Sequence, residues 1–148
     1  MTTPNDPAQV LLFAASRLHR LQIEVLADLK QPLTVRQFRI LQRVDEGVSS
    51  LSDLSKLAHR SLPTTSESVE GLIRRGLITR TVSETDRRAV VLQVTRAGRR
   101  ALDDGQAHFD RLAANLLAAV PASDRKAFAR FATLVYEYAG REMWGYDT

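Results

Sequence analysis

The chain has no cysteine among its 148 residues. Disulfides, thiolate metal sites and any sensor that works by oxidising its own thiol are therefore excluded. Histidine is scarce: His19, His59 and His108 stand far apart and lack the short spacing of metal ligands, so no resident metal is expected. No uninterrupted apolar segment is long enough to span a bilayer, and no cationic leader followed by an apolar signal core appears at the N-terminus. Cytoplasmic residence without membrane attachment is the expectation. No Ser-His-Asp or Cys-His set, metal cluster or phosphate-cradling glycine motif has a convincing local context, so neither catalysis nor a cofactor is expected.

What the chain does have is 44% hydrophobic residues, enough for a core in one domain or one compact protomer. The formal net charge is +4, and its location says more than its size. Residues 54–100 carry ten Arg or Lys against four Asp or Glu, whereas the remainder carries eleven against thirteen. Basicity is thus concentrated in the middle of the chain, as a nucleic-acid reader requires.

That middle, Leu51 to Gly98, reads as helix, tight turn, helix, then two short strands around a charged loop. Ser50 and Asp53 resemble a capping box, and Leu51, Leu54 and Ala58 give the first helix an apolar face. Ser61 fits as the cap of the second helix and Pro63 fits its first turn, where a missing amide donor costs little. Val69, Leu72 and Ile73 supply the buried stripe, and Gly76 is a natural left-handed terminator. Thr64, Glu67, Ser68 and Gly71 lie away from Val69 and Leu72 and form a small polar surface able to enter a groove. Leu77–Val82 and Ala89–Val94 are the candidate strands, rich in β-branched residues. The segment between them is too polar to bury, so Arg87 and Arg88 should project toward phosphate or a narrow minor groove.

The flanks are helical. Met1–Pro7 reads as a loose arm, and from about Ala8 the positions Val10, Leu11, Ala14, Leu18, Leu21 and Val25 repeat at helical spacing up to Pro32. Thr34 and Gln37 form a capping-box pair for a helix through about Asp45, using Phe38, Ile40, Leu41 and Val44, with Gly47 as terminator. Gly47–Ser49 offers a brief third strand. Thr95 can cap a long helix to about Ala119, roughly 35 Å in length, with a seam of Leu102, Phe109, Leu112, Leu116 and Val120. Pro121 breaks it, and Ser123 can cap a last helix through about Tyr138 that carries Phe128, Phe131, Leu134 and Val135. The first and last helices have apolar faces and little core to cover, so a partner chain is expected to supply the missing surface.

This order of elements is the plan of a winged helix-turn-helix. The run Asp86-Arg87-Arg88-Ala89-Val90-Val91-Leu92-Gln93-Val94-Thr95-Arg96-Ala97-Gly98 resembles the wing signature of the MarR family of bacterial transcriptional regulators. The run Leu72-Ile73-Arg74-Arg75-Gly76-Leu77-Ile78-Thr79-Arg80 is similar to that family's recognition-helix end and first wing strand. The resemblance implies a predominantly α fold with a small β-hairpin wing. Its domains would be an N-terminal arm and dimerisation helix over 1–33, a winged DNA-binding domain over 34–98 and C-terminal dimerisation helices over 99–148. It implies a homodimer whose terminal helices interlace and whose readers, about 34 to 36 Å apart, address an inverted-repeat operator in double-stranded DNA. Repression by occlusion of a promoter, relieved by a small aromatic or lipophilic effector, is the function it implies. The peroxide-sensing branch of the family depends on cysteine and is disfavoured.

The expected DNA-binding residues are Arg60, Ser61, Thr64, Thr65, Ser66, Glu67, Arg74, Arg75, Arg87 and Arg88. By resemblance, one wing arginine packs against Asp86 while the other reaches DNA, and Arg87 is preferred for the contact. Glu67 departs from the family pattern, in which many members carry Arg or an uncharged polar residue there. Phe13, His19, Phe38 and Phe109 are the candidate effector residues, with core packing as the alternative for each. Two other readings remain open at this level: a winged-helix module that binds a protein partner through Glu67 and Glu70, and a small enzyme.

Overall fold

The computed structural model describes residues 6–82 and 90–144, with side chains through Gly140. Arg87, Arg88 and the start of the expected second strand at Ala89 lie outside the described residues. The chain forms two compact units, Met1–Phe109 and Asp110–Thr148.

In the first unit, α1 (Pro7–Ala27) begins where the Asp6 side chain accepts from the Ala8 amide and proline occupies the first turn. The chain folds back beyond it through a hydrogen bond from Leu33 N to Leu26 O of 3.0 Å. Leu26, Leu29 and Leu33 enter the core, whereas Val10 and Leu21 of the expected seam stay exposed. Helix α1 therefore anchors by its C-terminal end.

Helix α2 (Val35–Asp45) has the expected reciprocal capping box: Thr34 Oγ1 accepts from Gln37 N, and Gln37 Oε1 accepts from Thr34 N, each at 3.1 Å. It buries Phe38, Ile40, Leu41 and Val44 and ends before Gly47. Helices α3 (Leu51–Ala58) and α4 (Leu62–Arg74) follow, then β1 (Ile78–Val82) and β2 (Val90–Val94) in antiparallel register with Arg80 opposite Leu92. The sheet has two strands. The expected third strand at Gly47–Ser49 is reduced to one ladder-like bond, Leu92 N to Ser49 O at 2.9 Å, because the segment is too short to present a second one.

Helix α5 (Arg96–Ala118) starts at a junction made by one hydroxyl. Thr95 Oγ1 accepts from Gly98 N at 3.0 Å and donates to Gly76 O at 2.6 Å, so one side chain caps α5 and ties it to the turn after α4. Thr95→Val keeps the shape and deletes both bonds. A loss of about 1 to 2 kcal/mol is expected in denaturant titration, and an unchanged midpoint would show that solvent replaces both contacts.

Phe38, Leu26, Leu41, Leu54, Leu72, Leu77, Ile78 and Val69 are fully buried, so the core of this unit draws on α1, α2, α3, α4 and β1. Phe109 packs edge-on against Phe38, with centroids 5.0 Å apart and planes at 86°, a geometry worth about 0.5 to 1.5 kcal/mol beyond area burial. The Phe38 ring fits against α5 because residue 105 is glycine: a Cβ there would stand 2.6 Å from Phe38 Cε2.

The second unit contains the end of α5, a 3-10 turn over Ala122–Asp124 and α6 (Arg125–Trp144). Ser123 does not cap the last helix. Its hydroxyl donates to Asp124 Oδ1 at 3.0 Å, the 3-10 turn takes up the first residues after Pro121, and α6 starts at Arg125. That helix also runs past Tyr138 to Trp144, since nothing after Tyr138 breaks it.

Candidate nucleic-acid interface

The α3–turn–α4 unit is held by short-range bonds that the residue types dictate. Ser50 caps α3 by accepting from Asp53 N, and Ser61 caps α4 by accepting from Thr64 N. Between them, His59 adopts the left-handed region at φ 46°, which reverses the chain in three residues. The buried Ser55 hydroxyl donates to Arg60 O at 2.6 Å and so fixes the turn against α3. This bond links α3 to the turn before α4 and has no signature in the periodicity of either helix.

Behind α4, Thr65, Val69 and Leu72 are buried. At 100° per residue the opposite side of the helix is the line Pro63, Glu67 and Arg74, and all three are exposed. Thr64, Ser66 and Ser68 flank that line at intermediate burial. Gly71 turns toward α2, where a Cβ would meet Gln37 Nε2 at 3.6 Å. The outward face of α4 is thus a ridge of longer side chains beside a strip of short ones.

Thr65 corrects the sequence reading. It is only 2% exposed and its hydroxyl donates to Ser61 O, so it is a core position of α4 and cannot reach a groove. A threonine can sit there because the carbonyl four residues earlier satisfies its hydroxyl. Arg75 is engaged elsewhere: its guanidinium donates to Pro32 O at 2.6 Å and Gln37 Oε1 at 3.4 Å, tying the end of α4 to the start of α2. Arg74 remains on the outward ridge, and Arg60 is exposed beside the cap.

The two carboxylates of α4 have different fates. Glu70 is held in an ion pair and hydrogen bond by Arg80 of β1. Glu67 is exposed and has no ion-pair partner among the described residues. Lys56 pairs loosely with Asp53 at 3.8 Å on the surface of α3, a contact of little energetic weight.

The four effector candidates are not brought together as one set. Phe38 and Phe109 meet in the core, while Phe13 and His19 lie exposed on α1. Core packing prevails for the first pair because α5 leaves space for the ring. A cavity of about 480 Å³ opens instead near the base of the hairpin, among Val44, Asp45, Ser49, Val91, Gln93 and Arg99. Arg99 there pairs with Asp45. The described residues hold no group of three or more His, Cys, Asp or Glu able to bind a metal, and no helix among them is long and apolar enough to cross a membrane.

Comparison with known proteins places this geometry. Residues 31–89 match a model of the MarR family. No curated protein matches the chain in sequence. Among solved structures, FabT of Streptococcus pneumoniae in complex with DNA superposes with a TM-score of 0.77 at 19% identity, over 88% of this chain and 93% of its own. RV1404 of Mycobacterium tuberculosis gives 0.76 at 24% identity, covering 95% and 99%. MepR of Staphylococcus aureus bound to ethidium bromide gives 0.64 at 18% identity, covering 90% and 96%. Residues 31–89 are thus similar in sequence to the MarR family, and over most of its length the chain shares the fold of FabT and RV1404.

Proposed function

We propose that two copies of this chain form a repressor that occupies an inverted-repeat operator in double-stranded DNA and leaves it when a small aromatic or lipophilic effector binds. The observation that carries the reading is the outward ridge of α4, presented by a capped helix-turn-helix whose opposite side is locked into the core. Arg60, Ser61, Thr64, Ser66, Glu67 and Arg74 form its reading surface. Arg87 and Arg88 add the wing contact.

Residues 34–98 are assigned to DNA binding, and 1–33 with 99–148 to dimerisation. The apolar side chains exposed on α1 and α6, including Leu12, Phe13, Ile23, Phe131 and Leu134, support the second assignment. A soluble monomer has no use for so many on its terminal helices. For the effector, support comes from MepR, whose similar fold is solved with ethidium bromide. Phe13 and His19, both exposed on α1, are the candidates for its contact here. An effector releases DNA only in so far as it binds the low-affinity conformation more tightly than the other.

Genome-wide recovery of bound fragments, followed by anisotropy titration of the strongest inverted repeat against a scrambled duplex, tests the reading. Equal affinity for both, with a monomer in sedimentation, would overturn it. The wing has its own test. Arg87→Ala is expected to weaken binding to every duplex and to lower the slope of log K against log salt by about 0.9, the share of one phosphate contact. An unchanged slope would remove Arg87 from the interface.

A further inference from the structure

We propose that Glu67 is the base-reading residue at the centre of each half-site and that it selects cytosine there through the N4 amino group. This rests on the DNA-binding reading above. Glu67 lies in the middle of the outward line of α4, opposite the buried Thr65, Val69 and Leu72. Thr64, Ser66 and Ser68 flank it, so its longer side chain reaches beyond these short neighbours.

A carboxylate in a groove lined by phosphates is repelled unless a donor on a base edge meets it. The major groove offers two such donors, cytosine N4 and adenine N6. Adenine places the N7 lone pair beside its donor, which opposes a carboxylate; cytosine places only the C5 hydrogen there. Cytosine is therefore the base that a glutamate accepts.

Arg80 sharpens the choice. It holds Glu70, the next carboxylate on the same side of α4, in an ion pair with β1. One acidic side chain of this face is neutralised within the protein and the other is left to the groove. Without that pair, two carboxylates three residues apart would face the phosphates together.

The experiment is selection from a library of random duplexes with the full-length protein, its Glu67→Gln variant and its Glu67→Ala variant. The wild type is expected to enrich a palindrome with C·G at one symmetric pair of positions, at about tenfold over other bases. Glu67→Gln is expected to move those two positions to A·T, because a carboxamide pairs with adenine N6 and N7, and to leave the rest of the palindrome alone. Glu67→Ala is expected to flatten only those positions. Glu67 is exposed and caps nothing, so both variants should keep the wild-type circular-dichroism melt. Identical palindromes from all three proteins would overturn the cytosine assignment while leaving DNA binding intact. Failure of the wild type to enrich any sequence would overturn both.

Discussion

Gly98→Ala is expected to lower the stability of the winged unit by at least about 2 kcal/mol, the net of a propensity gain near 1 kcal/mol and a larger steric cost. Position 98 is buried in the first turn of α5, where a Cβ would stand 2.0 Å from Leu77 O and 2.9 Å from both Leu77 C and Val94 Cγ1. The obstacle is backbone, so no rotamer change relieves it. Leu77 O also accepts from Thr95 N at 3.1 Å, and Leu77 N donates to Leu72 O at 2.9 Å, which fixes the carbonyl from both ends. To admit a methyl, α5 must lift from Leu77 and Val94, and the Thr95 bonds to Gly76 and Gly98 lengthen with it. For a chain of this size the melting temperature should fall by about 4 to 8 °C. Gly71→Ala is the control: its Cβ would meet Gln37 Nε2 at 3.6 Å, an ordinary contact. If the two variants melt alike, the approach of α5 to Leu77 is not what holds this junction.

Gly98 also shows where reading in one dimension stops. The starts of α2 to α5 were legible because each depends on a residue or two beside it: Thr34 with Gln37, Ser50 with Asp53, Ser61 with Thr64, Thr95 with Gly98. The turn after α4 was legible for the same reason, since Gly76 sits at φ 68°. Close approaches between elements leave no such trace. Nothing in the spacing of α5 says that residue 98 touches the carbonyl of residue 77, or that residue 105 clears a ring from α2. The same holds for Arg75, which was expected among the DNA-binding residues and whose guanidinium instead holds Pro32 and Gln37.

The outward face of α4 was legible in the sequence, and the structure departs from the expected residues at Thr65 and Arg75. Its polar strip follows from the buried stripe of α4 by simple rotation, and this placed Glu67 outward. Thr65 failed because a threonine hydroxyl was read as a surface group. In a helix it can return its proton to the backbone and be buried at little cost, as it does here with Ser61 O. The separation of Glu67 from Glu70 was invisible, because Arg80 reaches α4 only once β1 has folded back beside it.

Breaking the proposed dimer should have the largest effect on function. Phe131, Leu134 and Tyr138 recur at i, i+3 and i+7 on α6 and are 52%, 56% and 59% exposed. Such a stripe on a helix is a surface awaiting a partner. In a twofold interface each substitution occurs twice, so Phe131→Asp with Leu134→Asp places four carboxylates where apolar contact is needed. The double variant should sediment as a monomer at micromolar concentration. Its DNA affinity should fall by about 10²- to 10⁴-fold, because the second reader loses the effective concentration that the first confers. Tyr136 lies on the far side of the same helix and is 82% exposed, so Tyr136→Asp should change neither quantity. Circular dichroism separates loss of assembly from loss of fold, since the core residues of the first unit include none from α6. A double variant that remains dimeric would exclude this stripe of α6 from the interface, and one that becomes monomeric with undiminished affinity would show that a single reader suffices.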